Sequence, residues 1–147
     1  MRISLRTKNN VLTNMTKKQN YIQAVGRRKS AVVRVRLFKG KGESKVNLQS
    51  ADAYFPGPVL KDIWARPFKL ANVLDKYYVT IKARGGGKKA QLDAAVHAIA
   101  KALVKESPEN KKPLKAAGFL TRDARIRQRR MVGMGGKARR KKQSPKR

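Results

Sequence analysis

The stretch Tyr77–Lys105, YYVTIKARGGGKKAQLDAAVHAIAKALVK, decides the fold. It opens as a strand, crosses three glycines and continues as a helix. Over Tyr77–Ala83, Tyr77, Val79 and Ile81 alternate with Tyr78, Thr80 and Lys82, the period of two that a half-buried strand needs. This puts the two tyrosines on opposite faces. One belongs to a core; the other stands exposed or stacks on a base. Over Lys88–Lys105, Leu92, Val96, Ile99 and Leu103 recur at spacings of 4, 3 and 4, one apolar stripe of a helix. Ala94, Ala95, Ala98, Ala100 and Ala102 raise its propensity further. Asp93, His97, Lys101 and Lys105 share another face, and Pro108 lies beyond the end.

The same reading extends toward the N-terminus. Ser30–Lys39 is a strand, with Ala31, Val33, Val35 and Leu37 on one face and Val32, Arg34, Arg36 and Phe38 on the other. Tyr21–Val25 is a shorter strand. Gly40-Lys41-Gly42 is a turn, and Lys45–Leu48 a third short strand. Ser50 is placed to cap a helix starting near Ala51, which Pro56-Gly57-Pro58 ends. Val59–Ala65 forms a further helical turn before Pro67. Trp64 and Phe68, four apart, belong at the core or its edge. Pro113–Ala117 reads as a short helix stopped by Gly118.

Composition bounds the function. The chain has 147 residues, 40% of them hydrophobic, with 38 Lys and Arg against 8 Asp and Glu. The length means one domain plus tails. A net charge of +30 repels itself and calls for a polyanionic partner. There is no cysteine, so disulfides, thiolate zinc sites and thiol nucleophiles are excluded. No apolar run approaches the roughly 18 residues of a membrane span. Residues 1–20 form a basic arm, expected to be flexible, with no apolar signal region and no convincing transit peptide. Met15 is an alternative start. Arg122–Arg147 holds 12 cations and one acid; its apolar residues cannot form a core, so disorder is expected in isolation. If about eight of these cations each met a phosphate, log K would fall with log salt at a slope of about −6 to −7.

Three basic constellations stand out. In Gly26-Arg27-Arg28-Lys29-Ser30, Gly26 permits a tight turn and three cations project from one loop, a set suited to phosphate oxygens. In Arg84-Gly85-Gly86-Gly87-Lys88-Lys89, a glycine run enters a helix N-terminus, where backbone N–H groups face an anion. The nucleotide-binding patterns fail there: Lys88 is followed by Lys89 and Ala90 rather than Ser or Thr, and Ala90 breaks G-x-G-x-x-G. A structural turn and the close approach of a nucleic-acid backbone remain, the second favoured because glycine carries no blocking side chain. The third is the tail. Catalysis is poorly supplied. His97 stands alone without a nucleophile beside it, no carboxylate cluster has metal-ligand spacing, and no cofactor is indicated. A DNA-compacting protein is the competing reading, but no helix-turn-helix or ribbon arm is present.

Three separated motifs resemble the S-nine family, the ninth protein of the bacterial small ribosomal subunit. They are Gly26-Arg27-Arg28-Lys29-Ser30-Ala31, Gly85-Gly86-Gly87-Lys88-Lys89-Ala90-Gln91 with its alanine-rich helix, and Gly118-Phe119-Leu120-Thr121-Arg122-Asp123-Ala124-Arg125 with the basic tail. Ala90, Ala124 and Gln128 depart from the family's usual Gly, Pro and Glu, and the chain ends Gln143-Ser144-Pro145-Lys146-Arg147 without the family's aromatic. The resemblance implies an α+β body: a four-stranded sheet with helices packed on it, akin to the second domain of the small-subunit protein S-five. It implies a globular RNA-binding body over 21–118 and an extended basic tail over 119–147. The implied partners are the 3′ major domain of small-subunit rRNA, neighbouring proteins of the subunit head and peptidyl-site tRNA. The rRNA set comprises Arg27, Arg28, Lys29, Arg34, Arg36, Arg84, Gly85, Gly86, Gly87, Lys88 and Lys89 in the body. In the tail it comprises Arg122, Arg125, Arg127, Arg129, Arg130, Lys137, Arg139, Arg140, Lys141 and Lys142. Lys146 and Arg147 inherit the tRNA contact. The location implied is a cytoplasmic ribosome, bacterial rather than organellar.

Overall fold

The computed structural model describes residues 20–135; the expectations for 1–19 and 136–147 lie outside the described residues. In chain order the elements are β1 (Tyr21–Arg28), β2 (Ala31–Lys39), β3 (Lys45–Val46), β4 (Gln49–Ser50), α1 (Ala51–Tyr54), α2 (Pro58–Leu70), β5 (Tyr77–Arg84), α3 (Gly87–Glu106) and α4 (Lys111–Ala116). A single 3-10 turn, Pro108–Asn110, links α3 to α4. The architecture is α+β, with strand order β1-β2-β5-β3-β4. β1, β2 and β5 pair antiparallel, while β3 runs parallel to β5.

The sheet has five strands, not the expected four. The segment read as one strand, Lys45–Leu48, turns back on itself: Asn47 and Leu48 take φ of 49° and 74°, and Gln49–Ser50 returns to pair with β3. The Asn47 side chain fixes the turn, donating to the Ala83 carbonyl (3.0 Å) and accepting from the Ala83 N–H (2.9 Å). Its amide replaces a backbone partner for β5 where β3 stops. β4 then leads into α1, where Ser50 accepts from Ala53 N–H at 3.2 Å, the cap expected from sequence.

α2 also exceeds its expected length. It continues through Pro67 to Leu70, although proline removes one helical donor. Pro67 and Phe68 are buried there, so tertiary packing outweighs the local cost. α4 ends as anticipated. Gly118, at φ 77°, donates to Lys115 O (3.0 Å), and Phe119 N–H reaches Leu114 O (3.0 Å), the paired closure that glycine permits.

The core lies between the inner sheet face and α3. Val33, Val35, Leu37, Val79 and Ile81 share one core cluster with Leu92, Ile99 and Leu103 of the helix stripe, all buried, while Val96, also buried, lies outside that cluster, near Ile63 and Phe119. Phe55, Phe68 and Leu114 close the sides. Each large side chain so buried contributes about 1.5–3 kcal/mol. The alanines of α3 are buried as well, so the helix carries apolar surface beyond its stripe and packs on α2 as well as the sheet. Tyr77 is the core tyrosine of its pair, packed against this cluster.

Candidate nucleic-acid interface

Among the described residues no element covers the outer face of the three long strands, and the register arranges their side chains in rows. Arg27, Val32 and Arg84 form one row, Val25, Arg34 and Lys82 the next, then Gln23, Arg36 and Thr80, and finally Tyr21, Phe38 and Tyr78. Arg27, Arg34, Arg36, Lys82 and Arg84 are all exposed. None of these twelve outward positions carries a carboxylate. Strand alternation requires this segregation: every second residue must turn away from the core, and here those positions are basic.

The aromatic row closes one end of the face. Phe38 stacks on Tyr78 at 5.1 Å and tilts against Tyr21 at 5.6 Å. The Arg36 guanidinium sits 5.0 Å over the Tyr21 ring. A Cβ at Gly42 would stand 2.8 Å from the Tyr78 ring, so the Gly42 backbone lies against that ring. The rings thus pack on one another and on neighbours, and Tyr21 remains exposed.

At the opposite end, two motifs distant in sequence meet. Only Lys29 and Ser30 form the turn between β1 and β2; Lys29 has φ 52°. Arg27 and Arg28 lie within β1, which corrects the loop expected over Gly26–Ser30. Gly26 does not make a turn either. It pairs with Val33 mid-strand, and a Cβ there would fall 2.0 Å from Ala94 O, so α3 rests directly on β1. The glycine run packs against the Lys29–Ser30 turn: a Cβ at Gly85 would be 2.7 Å from Ser30 O, and one at Gly86 2.7 Å from Ala31. Close packing on β2 therefore accounts for Gly85 and Gly86, whereas Gly87 faces open space. Gln91 locks the loop by donating to Gly85 O at 2.9 Å. The turn and the loop thus place Lys29, Lys88 and Lys89, all exposed, at the Arg27–Arg84 end of the outer face. Lys88 lies 5.8 Å from the Tyr54 ring.

Arg28 differs from its neighbours. It points inward, pairs with Asp123 at 3.0 Å and Asp93 at 3.7 Å, and donates to Arg125 O at 2.8 Å. It holds the root of the tail on the body. Phe119 and Leu120 pack against the core just before it. Asp123 is held well below the usual carboxylate range, chiefly by the Arg125 side chain and its N–H, with Arg28 adding to the effect. Beyond this anchor, Arg122, Arg127, Arg129 and Arg130 are exposed. Lys101 and Lys105 turn aside to donate to Val25 O (3.1 Å) and Gln23 O (3.0 Å), masking the open edge of β1. Lys137, Arg139, Arg140, Lys141, Lys142, Lys146 and Arg147 lie outside the described residues.

Sequence reasoning missed Lys82 and the Asn47–Leu48 turn. The alternation that exposes Arg34 and Arg36 also exposes Lys82, so the signal was present. Among the described residues no group of three His, Asp or Glu side chains converges as a metal site. No helix there is long and apolar enough to cross a membrane.

His97 lies beside the tail root. Burial lowers its pKa below 6.5; Lys101 and Arg122 add to this, and the Leu120 backbone opposes it. A base with a depressed folded pKa leaves the unfolded chain binding more protons as pH falls below 6.5. Stability should therefore be full above that pH and decline as pH falls through the folded pKa. Thermal melts between pH 7.5 and 5 are expected to show this decline, and His97→Gln should flatten it. An identical profile for both proteins would refute the assignment.

Comparison with known proteins gives the family. A family profile described as ribosomal protein S9/S16 matches residues 26–147. A small ribosomal subunit protein uS9 of Porphyromonas gingivalis is 44% identical over 128 residues, covering 87% of this chain and 99% of that protein. Its counterpart in Desulfotalea psychrophila is 43% identical over 119 residues, covering 80% and 91%. That of Maridesulfovibrio salexigens is 44% identical over 122 residues, covering 83% and 92%. With most of its length matched at this identity, the chain belongs to the ribosomal protein S9/S16 family, structural constituents of the small ribosomal subunit and not enzymes.

Proposed function

We propose that the body, residues 21–118, binds the 3′ major domain of small-subunit rRNA in the subunit head, beside neighbouring ribosomal proteins in the cytoplasm. The tail, 119–147, runs on through RNA until Lys146 and Arg147 approach the anticodon stem-loop of peptidyl-site tRNA. The observation that carries the body's part is the outer sheet face. Arg27, Arg34, Arg36, Lys82 and Arg84 stand there without a carboxylate, and Lys29, Lys88 and Lys89 extend the patch. Like charges this close favour the protein only with an anion among them. The mechanism is phosphate neutralisation with counterion release, and no bond is made or broken. Arg28 serves by anchoring the tail, and it aims Arg127, Arg129 and Arg130 away from a fixed point.

The test is binding of the full chain to 3′-domain rRNA and to a shuffled RNA of equal length at moderate salt. The 3′-domain RNA is expected to bind more tightly; equal affinity would remove the rRNA assignment. A chain lacking 138–147 should keep its melting temperature and enter the small subunit, because those residues add little to a core. It should bind peptidyl-site tRNA less well in the assembled subunit. Undiminished tRNA affinity would remove the tail's proposed role.

A further inference from the structure

Leu48 is 94% exposed, and its backbone sits at φ 74°, a conformation a leucine adopts only under constraint. The constraint is visible. Asn47 binds Ala83 through both atoms of its amide, and its own N–H reaches Ile81 O at 2.9 Å. The turn between β3 and β4 therefore presents an apolar side chain rigidly, where glycine would be free of strain and a polar residue would suit solvent. Leu48 projects almost fully into solvent, at the rim of a cluster of cations. With Arg34, Arg36, Thr80 and Lys82 it lines a depression on the outer sheet face of about 380 Å³, within the range of roughly 300–1,000 Å³ typical of ligand pockets.

We propose that this depression holds one unpaired nucleotide of RNA, its phosphate among Arg34, Arg36 and Lys82 and its base against Leu48. The inference rests on the RNA-binding reading above and adds to it what kind of RNA the face takes. Charge selects a polyanion, since no carboxylate lines the depression. The apolar wall selects among polyanions. A duplex presents sugars and phosphates, which gain nothing from a leucine; a splayed base offers an apolar face. The Thr80 hydroxyl, which donates and accepts, stands in the same depression to meet a ribose or a base edge. The aromatic row does not supply the apolar surface here, because Tyr21, Phe38 and Tyr78 lie outside the depression. Leu48 is the exposed apolar side chain that lines it.

The test uses the full chain and three RNA probes of equal length: a single strand with all its bases, the same strand with abasic sites, and a duplex. Leu48→Gly is the decisive variant, because glycine accepts φ 74° without strain and the fold should be kept or gain stability. The wild-type chain is expected to bind the base-bearing strand roughly three- to tenfold more tightly than the abasic one, from partial burial of one leucine side chain against a base. Leu48→Gly should erase that ratio and leave abasic and duplex affinities and the salt dependence unchanged. If the ratio survives in Leu48→Gly, or if the wild-type chain does not distinguish base-bearing from abasic strands, the nucleotide pocket is wrong while the RNA-binding reading stands. If the chain binds none of the three probes with salt-dependent affinity, the RNA-binding reading itself falls.

Discussion

Gly26→Ala should cost the fold about 3 kcal/mol or more, at the upper end of what overpacking does. The added Cβ would stand 2.0 Å from Ala94 O and 3.0 Å from Ala98 N. Both are backbone atoms of α3, so no side chain can rotate aside. The helix would have to lift from β1, opening the packing of Leu92, Ile99 and Leu103 against the sheet. For a folded body of about 100 residues, a loss of that size lowers the melting temperature by roughly 12–24 °C. Gly87→Ala is the matched control. A Cβ there meets nothing within 4 Å, and only its φ of 76° is strained, a cost of about 1 kcal/mol. Melting curves of both variants decide the point. Equal losses would mean that conformation rather than helix–strand contact explains Gly26.

The second large effect concerns affinity. Replacing Arg27, Arg34, Arg36, Lys82 and Arg84 together by glutamine should flatten the dependence of log K on log salt by about 3.5 for single-stranded RNA, at about 0.7 for each phosphate no longer neutralised. At low salt the affinity should fall by roughly a hundredfold or more. The fold should persist, since all five side chains are exposed and point away from the core. Removing like charges from one face also relieves repulsion in the free protein. Titrations at several salt concentrations measure slope and affinity together. An unchanged slope would show that the tail carries the RNA contacts and the sheet face none. Arg28 is deliberately spared, because its partners are Asp93 and Asp123 and its loss would disturb the tail root as well as the charge.

Much of this protein was legible without coordinates. The alternation in β2 and β5, the stripe and alanines of α3, the Ser50 cap and the Gly118 stop are local signals. Each depends on residues within one or two turns of chain, and each forms where it was expected. The misreadings share a cause. Pro67 argues locally for a helix end, but burial of Pro67 and Phe68 carries α2 onward. Leu48 argues locally for a strand, but the Asn47 side chain bonds to β5, 36 residues away, and closes a turn there instead. Gly26 argues locally for a turn, but the space it vacates is filled by a helix much later in the chain.

Legible from the residues alone were the strands β2 and β5, the helix α3, the preference for a polyanionic partner, the absence of thiol chemistry and the three motifs of the S9/S16 family. Composition, periodicity and motif order survive any arrangement in space. Only the tertiary structure decided which cations act together. Pairing of β1, β2 and β5 gathers Arg27, Arg34, Arg36, Lys82 and Arg84 onto one face, and the glycine run joins them to Lys29 by packing on the β1–β2 turn. The fold also withdrew Arg28 from the expected set by pairing it with Asp123, and it turned Lys101 and Lys105 onto backbone carbonyls of β1. Charge is a property of a residue, but whether it is free to meet a phosphate depends on what long-range packing has placed beside it.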